Sequence, residues 1–167
     1  MGVKYSTKID KMPYIKNTAK RLNNKKVQVG VFGGEQAYLA AIHEYGCNIT
    51  VTPKMRAYLH YNGLHLSPDT TVIKIPERSF LRTGHDLNAD RIMEQTARAI
   101  GQVLAGKMSV DDLFELYGQQ MTTAIKKYAV QLKSPANHPY TIEQKGSSNP
   151  LVDTGDMIEH VSWNVEG

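Results

Sequence analysis

The chain has 167 residues, 41% of them hydrophobic and 22% charged, a balance that suits one folded domain and excludes a wholly disordered or low-complexity polymer. Its 20 Lys and Arg against 16 Asp and Glu leave a net charge of +4, compatible with polyanion contact but no nucleic-acid signature in itself. The single cysteine, Cys47, excludes an intramolecular disulfide and paired-thiolate metal sites, and no run approaches the roughly 20 apolar residues of a membrane helix.

The opening Met1 to Asn24 is lysine-rich and has no secretory apolar stretch, so the expectation is a soluble, unexported protein in a reducing compartment. Within it, Tyr14, Ile15, Thr18, Ala19 and Leu22 fall on one helical stripe from Asp10 to Asn24, with Pro13 in the first turn. Lys26 to Phe32 alternates with period two and predicts a strand stopped by Gly33-Gly34. Tyr38, Leu39, Ile42 and Tyr45 then recur at helical spacing, and Gly46 sits where a helix C-cap favours glycine.

Three β-rich runs follow, at Asn48–Thr52, Met55–Tyr61 and Thr70–Ile75. Asn62-Gly63 is a strong turn signal, so a projecting hairpin is expected over about residues 54–75. On its first arm Met55, Ala57, Leu59 and Tyr61 would share one face, and Arg56, Tyr58 and His60 the other. Two helices are predicted next, at Leu87–Leu104 and Val110–Leu132, forming a helical insert over about 85–133. Ser109 and Asp112 make a capping-box start for the second. The Ser, Pro, Asn and Gly composition of 134–150 reads as a flexible arm, Leu151–His160 as a short helix, and Val161–Val165 as a closing strand. The predicted fold is α+β: one domain over 1–167, with a mixed or antiparallel sheet flanked by helices.

Motifs for chemistry are incomplete. Gly30, Gly33 and Gly34 match neither a dinucleotide fingerprint nor a P-loop, and His43-Glu44 lacks the second histidine of a zinc protease because position 47 is Cys47. His60 and His65 would point to opposite faces of extended strands, so no metal is assigned. The short Met1–Ser6 myristoylation and Asn48–Thr50 glycosylation patterns recur often by chance. No nucleophile has a placed base, and Asp111 and Asp112 suit a helix start, so neither an enzyme nor a cofactor is expected.

Three spaced segments do carry a resemblance: Ala40–Gly46 (AAIHEYG), Ile75–Arg82 (IPERSFLR) and Asn149–Met157 (NPLVDTGDM). In order and spacing, with a helical insert between the second and third, they resemble the tail-completion and virion-morphogenesis proteins of long-tailed bacteriophages. The matching positions are Glu44, Tyr45 and Gly46, then Pro76, Arg78, Phe80 and Leu81, then Leu151, Asp153, Thr154 and Gly155; Ser79 stands where the family pattern has a second proline. Arg82 completes the second segment, and Arg78 and Arg82 are expected to be free to pair with carboxylates such as Glu44.

The resemblance implies a non-enzymatic virion protein of the phage neck, a tail-completion or tail-terminator subunit at the head-tail junction, assembled in the bacterial host cytoplasm. Its implied partners are further copies in a homo-oligomeric ring, a hexamer by tail symmetry, together with other neck and tail-tube proteins, genomic DNA passing through the lumen, and no membrane. The matching residues are then subunit-interface candidates. The alternative is a nucleic-acid-binding module that uses Arg56, Tyr58 and His60 as a polyanion contact.

Overall fold

Pro13 in the first turn and Asp10, whose Oδ1 accepts from Met12 N at 2.9 Å, start helix α1 (Met12–Asn24) in the computed structural model, which describes residues 10–167. The myristoylation pattern lies outside the described residues. Strand β1 (Lys26–Val31) follows, and the glycine pair, both at positive φ, turns the chain into α2 (Gly34–Tyr45). Strand β2 (Cys47–Thr50), helix α3 (Pro53–Tyr61) and strand β3 (Val72–Ile75) come next. Two long helices, α4 (Phe80–Leu104) and α5 (Val110–Gln131), then pack side by side, joined by a short turn. The chain ends with α6 (Pro139–Lys145), α7 (Asp156–Glu159) and β4 (Val161–Glu166).

The class is α+β: among the described residues, seven helices and two separate antiparallel pairs of strands. β1 pairs with β4, setting Val29 opposite Trp163 and Val31 opposite Val161, and β2 pairs with β3, setting Ile49 opposite Ile73. α5 crosses the β1–β4 pair and closes the core over Phe80, Ile92, Met121, Ile125 and Val161, all essentially inaccessible to solvent. Its Ser109–Asp112 capping box forms as expected. Where α5 lies against β4 its backbone comes so near that a Cβ at Gly118 would collide with the Trp163 side chain, whose Nε1 donates to Glu115 Oε2 at 2.7 Å. A smaller cluster of Ala99, Val103, Val110 and Leu113 closes the far end of the α4–α5 pair, with Leu22 of α1 against it. No helix among the described residues is long and apolar enough to cross a membrane.

The hairpin expected over 54–75 is instead a ribbon of β2 and β3 carrying a helix between its strands. Thr52 explains the difference: its Oγ1 accepts from Met55 N at 3.1 Å, and Pro53 fills the first helical position, a strong helix start. Asn62-Gly63 ends that helix rather than turning a hairpin, with Asn62 Nδ2 donating to Tyr58 O at 2.7 Å and Gly63 at φ 88°. Arg56 and His60, four residues apart, therefore fall on one side of a helix, and Tyr58, about 200° from each, on the other.

The 134–150 segment, expected to be a flexible arm, contains α6 and is fastened to the body by polar contacts. His138 caps α6 by accepting from Tyr140 N at 3.3 Å, and Asn149 Nδ2 donates to Val130 O at 2.6 Å. Its poverty in apolar residues reflects attachment by hydrogen bonds instead of burial.

Candidate functional site

Glu44 lies on the last turn of α2, is 2% exposed, and points at the start of α4. Its Oε2 accepts from Leu81 N at 2.8 Å and its Oε1 from Arg82 N at 3.0 Å, so one carboxylate caps two of the amides that open α4. Oε1 also accepts from Ser79 Oγ at 2.8 Å and from Arg82 Nε at 2.9 Å. This cap from a distant residue begins α4 at Phe80, seven residues before the periodicity predicts. At the position where the family pattern has proline, Ser79 supplies a hydroxyl that proline lacks.

Arg82 is the half-exposed partner in this group. Its Nη2 donates to Glu44 O at 3.1 Å and Glu77 Oε1 at 2.7 Å, and its guanidinium lies 4.9 Å from the centre of the Tyr45 ring. The hydrogen bond to Glu44 is the largest influence raising its pKa. The expected pairing of Arg82 with Glu44 is thus present, whereas Arg78 pairs with no carboxylate among the described residues. Buried to 4% exposure, Arg78 grips the following segment instead: Nε donates to Pro135 O at 2.8 Å, and Nη2 to Ala136 O at 3.1 Å and Asn137 Oδ1 at 3.0 Å.

Gly46 completes the junction. Its φ of 72° suits glycine, and a Cβ there would stand 2.9 Å from both Glu77 N and Ile75 O, so the chain after Pro76 can lie against it only without a side chain. The third segment joins through Asn137, whose Nδ2 donates to Asn149 O at 3.5 Å. Asn149 Oδ1 in turn accepts from Leu151 N and Val152 N at 2.9 and 3.0 Å, seating Leu151 in the core. Thr154 Oγ1 accepts from Asp156 N at 3.3 Å and Gly155 takes a positive φ of 98°, so Asp153-Thr154-Gly155 does turn the chain into α7.

A cleft of about 290 Å³ lies where these segments meet, lined by His43, Lys145, Leu151, Asp153 and Thr154. Burial, with the charges of Arg78 and then Lys145, lowers the His43 pKa to about 4, so its imidazole is neutral near pH 7. The Lys145 pKa is also lowered, again chiefly by burial, and its Nζ donates to Asn149 O at 2.9 Å. His43 Nδ1 stands 3.4 Å from Arg78 Nη1, and no hydrogen bond among the described residues links its ring to a hydroxyl or carboxylate. A further concavity of about 840 Å³ runs along α4 and α5, apart from this junction, and its lining includes Arg91, Lys127 and the amide side chains of Asn88, Gln95, Gln119, Gln120 and Gln131.

The resembling positions therefore divide by burial. Glu44, Arg78, Phe80 and Leu151 are buried in their own chain, where they build the junction. Gly46, Pro76, Leu81 and Gly155 are partly covered, and Tyr45, Arg82, Asp153 and Thr154 face solvent. Of the residues read as a polyanion contact, Arg56 keeps its charge while donating to the carbonyls of Leu66, Ser67, Pro68 and Thr70. Asn149 has no role legible in the sequence although it stands within a resembling segment; Asn137, Pro135 and Ala136 carry no such signal. No protein-family model, curated protein or solved structure matches the chain.

Proposed function

We propose that the protein is a non-enzymatic structural subunit of a bacteriophage neck, a tail-completion or tail-terminator protein that acts as a homo-oligomeric ring at the head-tail junction of the virion. The observation that carries this reading is the convergence of all three resembling segments on one junction. Glu44 comes from the first, Ser79 and Arg82 from the second, and Asn149 of the third is reached through Arg78 and Asn137. Residues far apart in sequence meet there to cap a helix and fix chain reversals, which is construction work rather than chemistry.

The outer side of α2 supports an assembling surface. Tyr38, Ala41 and Tyr45 are exposed and spaced three and four residues apart, forming an aromatic stripe with Tyr38 at 67% and Tyr45 at 66% exposure. Tyrosines displayed this way suit a heterologous contact between ring neighbours, with Arg82 beside Tyr45 at its edge. The reading is tested by locating the protein in purified virions with a labelled antibody and counting copies. About six copies at the neck are expected for a six-fold ring, and absence from the virion contradicts the proposal.

A further inference from the structure

The excursion from Cys47 to Ile75 contains no buried side chain, so β2, α3 and β3 form an arm held by backbone pairing and a few polar contacts. At its tip His60, on the last turn of α3, meets His65 from the loop beyond Gly63. Their Nδ1 atoms are 2.7 Å apart and their rings meet edge-on with centroids 4.3 Å apart, both exposed. This reverses the sequence expectation that the two would face apart, since the helix end at Asn62-Gly63 folds the loop back over α3.

We infer that His60 and His65 form a binding site for a borderline divalent transition ion such as Zn²⁺, Cu²⁺ or Ni²⁺, held through both Nδ1 atoms with its remaining positions open. Imidazole nitrogens suit these ions and do not suit Mg²⁺ or Ca²⁺, which take oxygen ligands. In the free pair one Nδ1 carries a proton and the other accepts it. On binding, that ring shifts its proton through solvent to Nε2, freeing both Nδ1 lone pairs for the ion.

Two imidazole nitrogens on one tetrahedral ion, each about 2.0–2.1 Å from it, stand about 3.3 Å apart. The observed 2.7 Å thus needs an opening of about 0.6 Å, within reach of small side-chain rotations of exposed rings. The loop is held ready. Gly63 N donates to His60 O at 3.1 Å and Leu64 N to Leu59 O at 2.8 Å, while Arg56 reaches four loop carbonyls, the shortest at 2.6 Å to Thr70 O. Such preorganisation reduces the ordering cost of binding. Among the described residues no group of three or more His, Cys, Asp or Glu side chains converges, so this pair supplies two ligands and leaves sites for water or for a donor from a second copy.

The site is independent of the assembly reading. It is tested by titrating Zn²⁺ into the tag-free full-length chain by calorimetry, with amide hydrogen exchange over residues 56–70 followed in parallel. Expected are saturable binding, slower exchange in that stretch, and no response to Mg²⁺. His60→Gln and His65→Gln should each weaken binding by more than the roughly tenfold that loss of even an outer-shell partner costs, while His85→Gln and Cys47→Ser leave it unchanged. One ion per chain, or one shared by two chains, supports the site, the latter assigning the open positions to a second copy. Absence of saturable binding, or binding undiminished in both histidine variants, overturns it.

Discussion

Glu44 bears on more of the junction than any other side chain. Its carboxylate is nearly inaccessible yet receives four hydrogen bonds, two of them from the opening amides of α4. Glu44→Ala leaves those amides uncapped and half-exposed Arg82 without its main partner, and should cost about 2–4 kcal/mol. Glu44→Gln, which keeps one acceptor oxygen, should cost less. Urea unfolding checks both, and an unchanged midpoint for the alanine variant would refute the capping role. His43 makes a pH prediction with a definite sign. Its folded pKa of about 4 lies below the ordinary 6.5, so both states are neutral at higher pH and the residue contributes no pH dependence there. As pH falls from 6.5 toward 4 the unfolded chain takes up a proton the folded one refuses, and stability declines by at most about 1 kcal/mol per unit after solvent screening. The difference in urea stability between wild type and His43→Gln should therefore shift across this window and stay flat above it. The sequence offered both Arg78 and Arg82 as partners for a carboxylate such as Glu44, because motif residues of opposite charge invite pairing, and Arg82 makes that pair. It could not distinguish Arg78 from Arg82, since carbonyls as partners leave no charge pattern to read.

Elements were legible where periodicity and capping agree and misleading where they conflict. The α1 stripe, the β1 alternation and the Ser109 capping box each point to one structure, and each forms. At Met55–Tyr61 the period-two alternation suggested a strand, but Thr52 and Pro53 supply a helix start, and α3 forms. The beginning of α4 was hidden for another reason: its cap comes from Glu44, 37 residues before Leu81, and no local pattern encodes that. The two long helices and the β1–β4 pair depend instead on close approach. Gly118→Ala gains helix propensity of up to about 1 kcal/mol but drives a methyl into the Trp163 side chain, and overpacking of about 1–3 kcal/mol should win. A lowered thermal midpoint with weakened near-ultraviolet dichroism from the single tryptophan is the expected result; a raised midpoint would show that β4 can shift away from α5 at little cost.

Across the whole molecule, a buried-core body carries an arm that buries no side chain and a helix that displays tyrosines to solvent. A subunit designed to meet neighbours has such parts: a body stable alone, and surfaces whose apolar area is covered on assembly. That division was only partly legible beforehand, because the resembling segments combine buried builders such as Phe80 with exposed residues such as Tyr45, and burial is a property of the folded whole. The reading as a neck subunit is tested most directly by electron microscopy of particles from a phage carrying an early stop codon in this reading frame. DNA-filled heads beside unattached or overlong tails are the predicted result, whereas normal infectious virions would contradict the account.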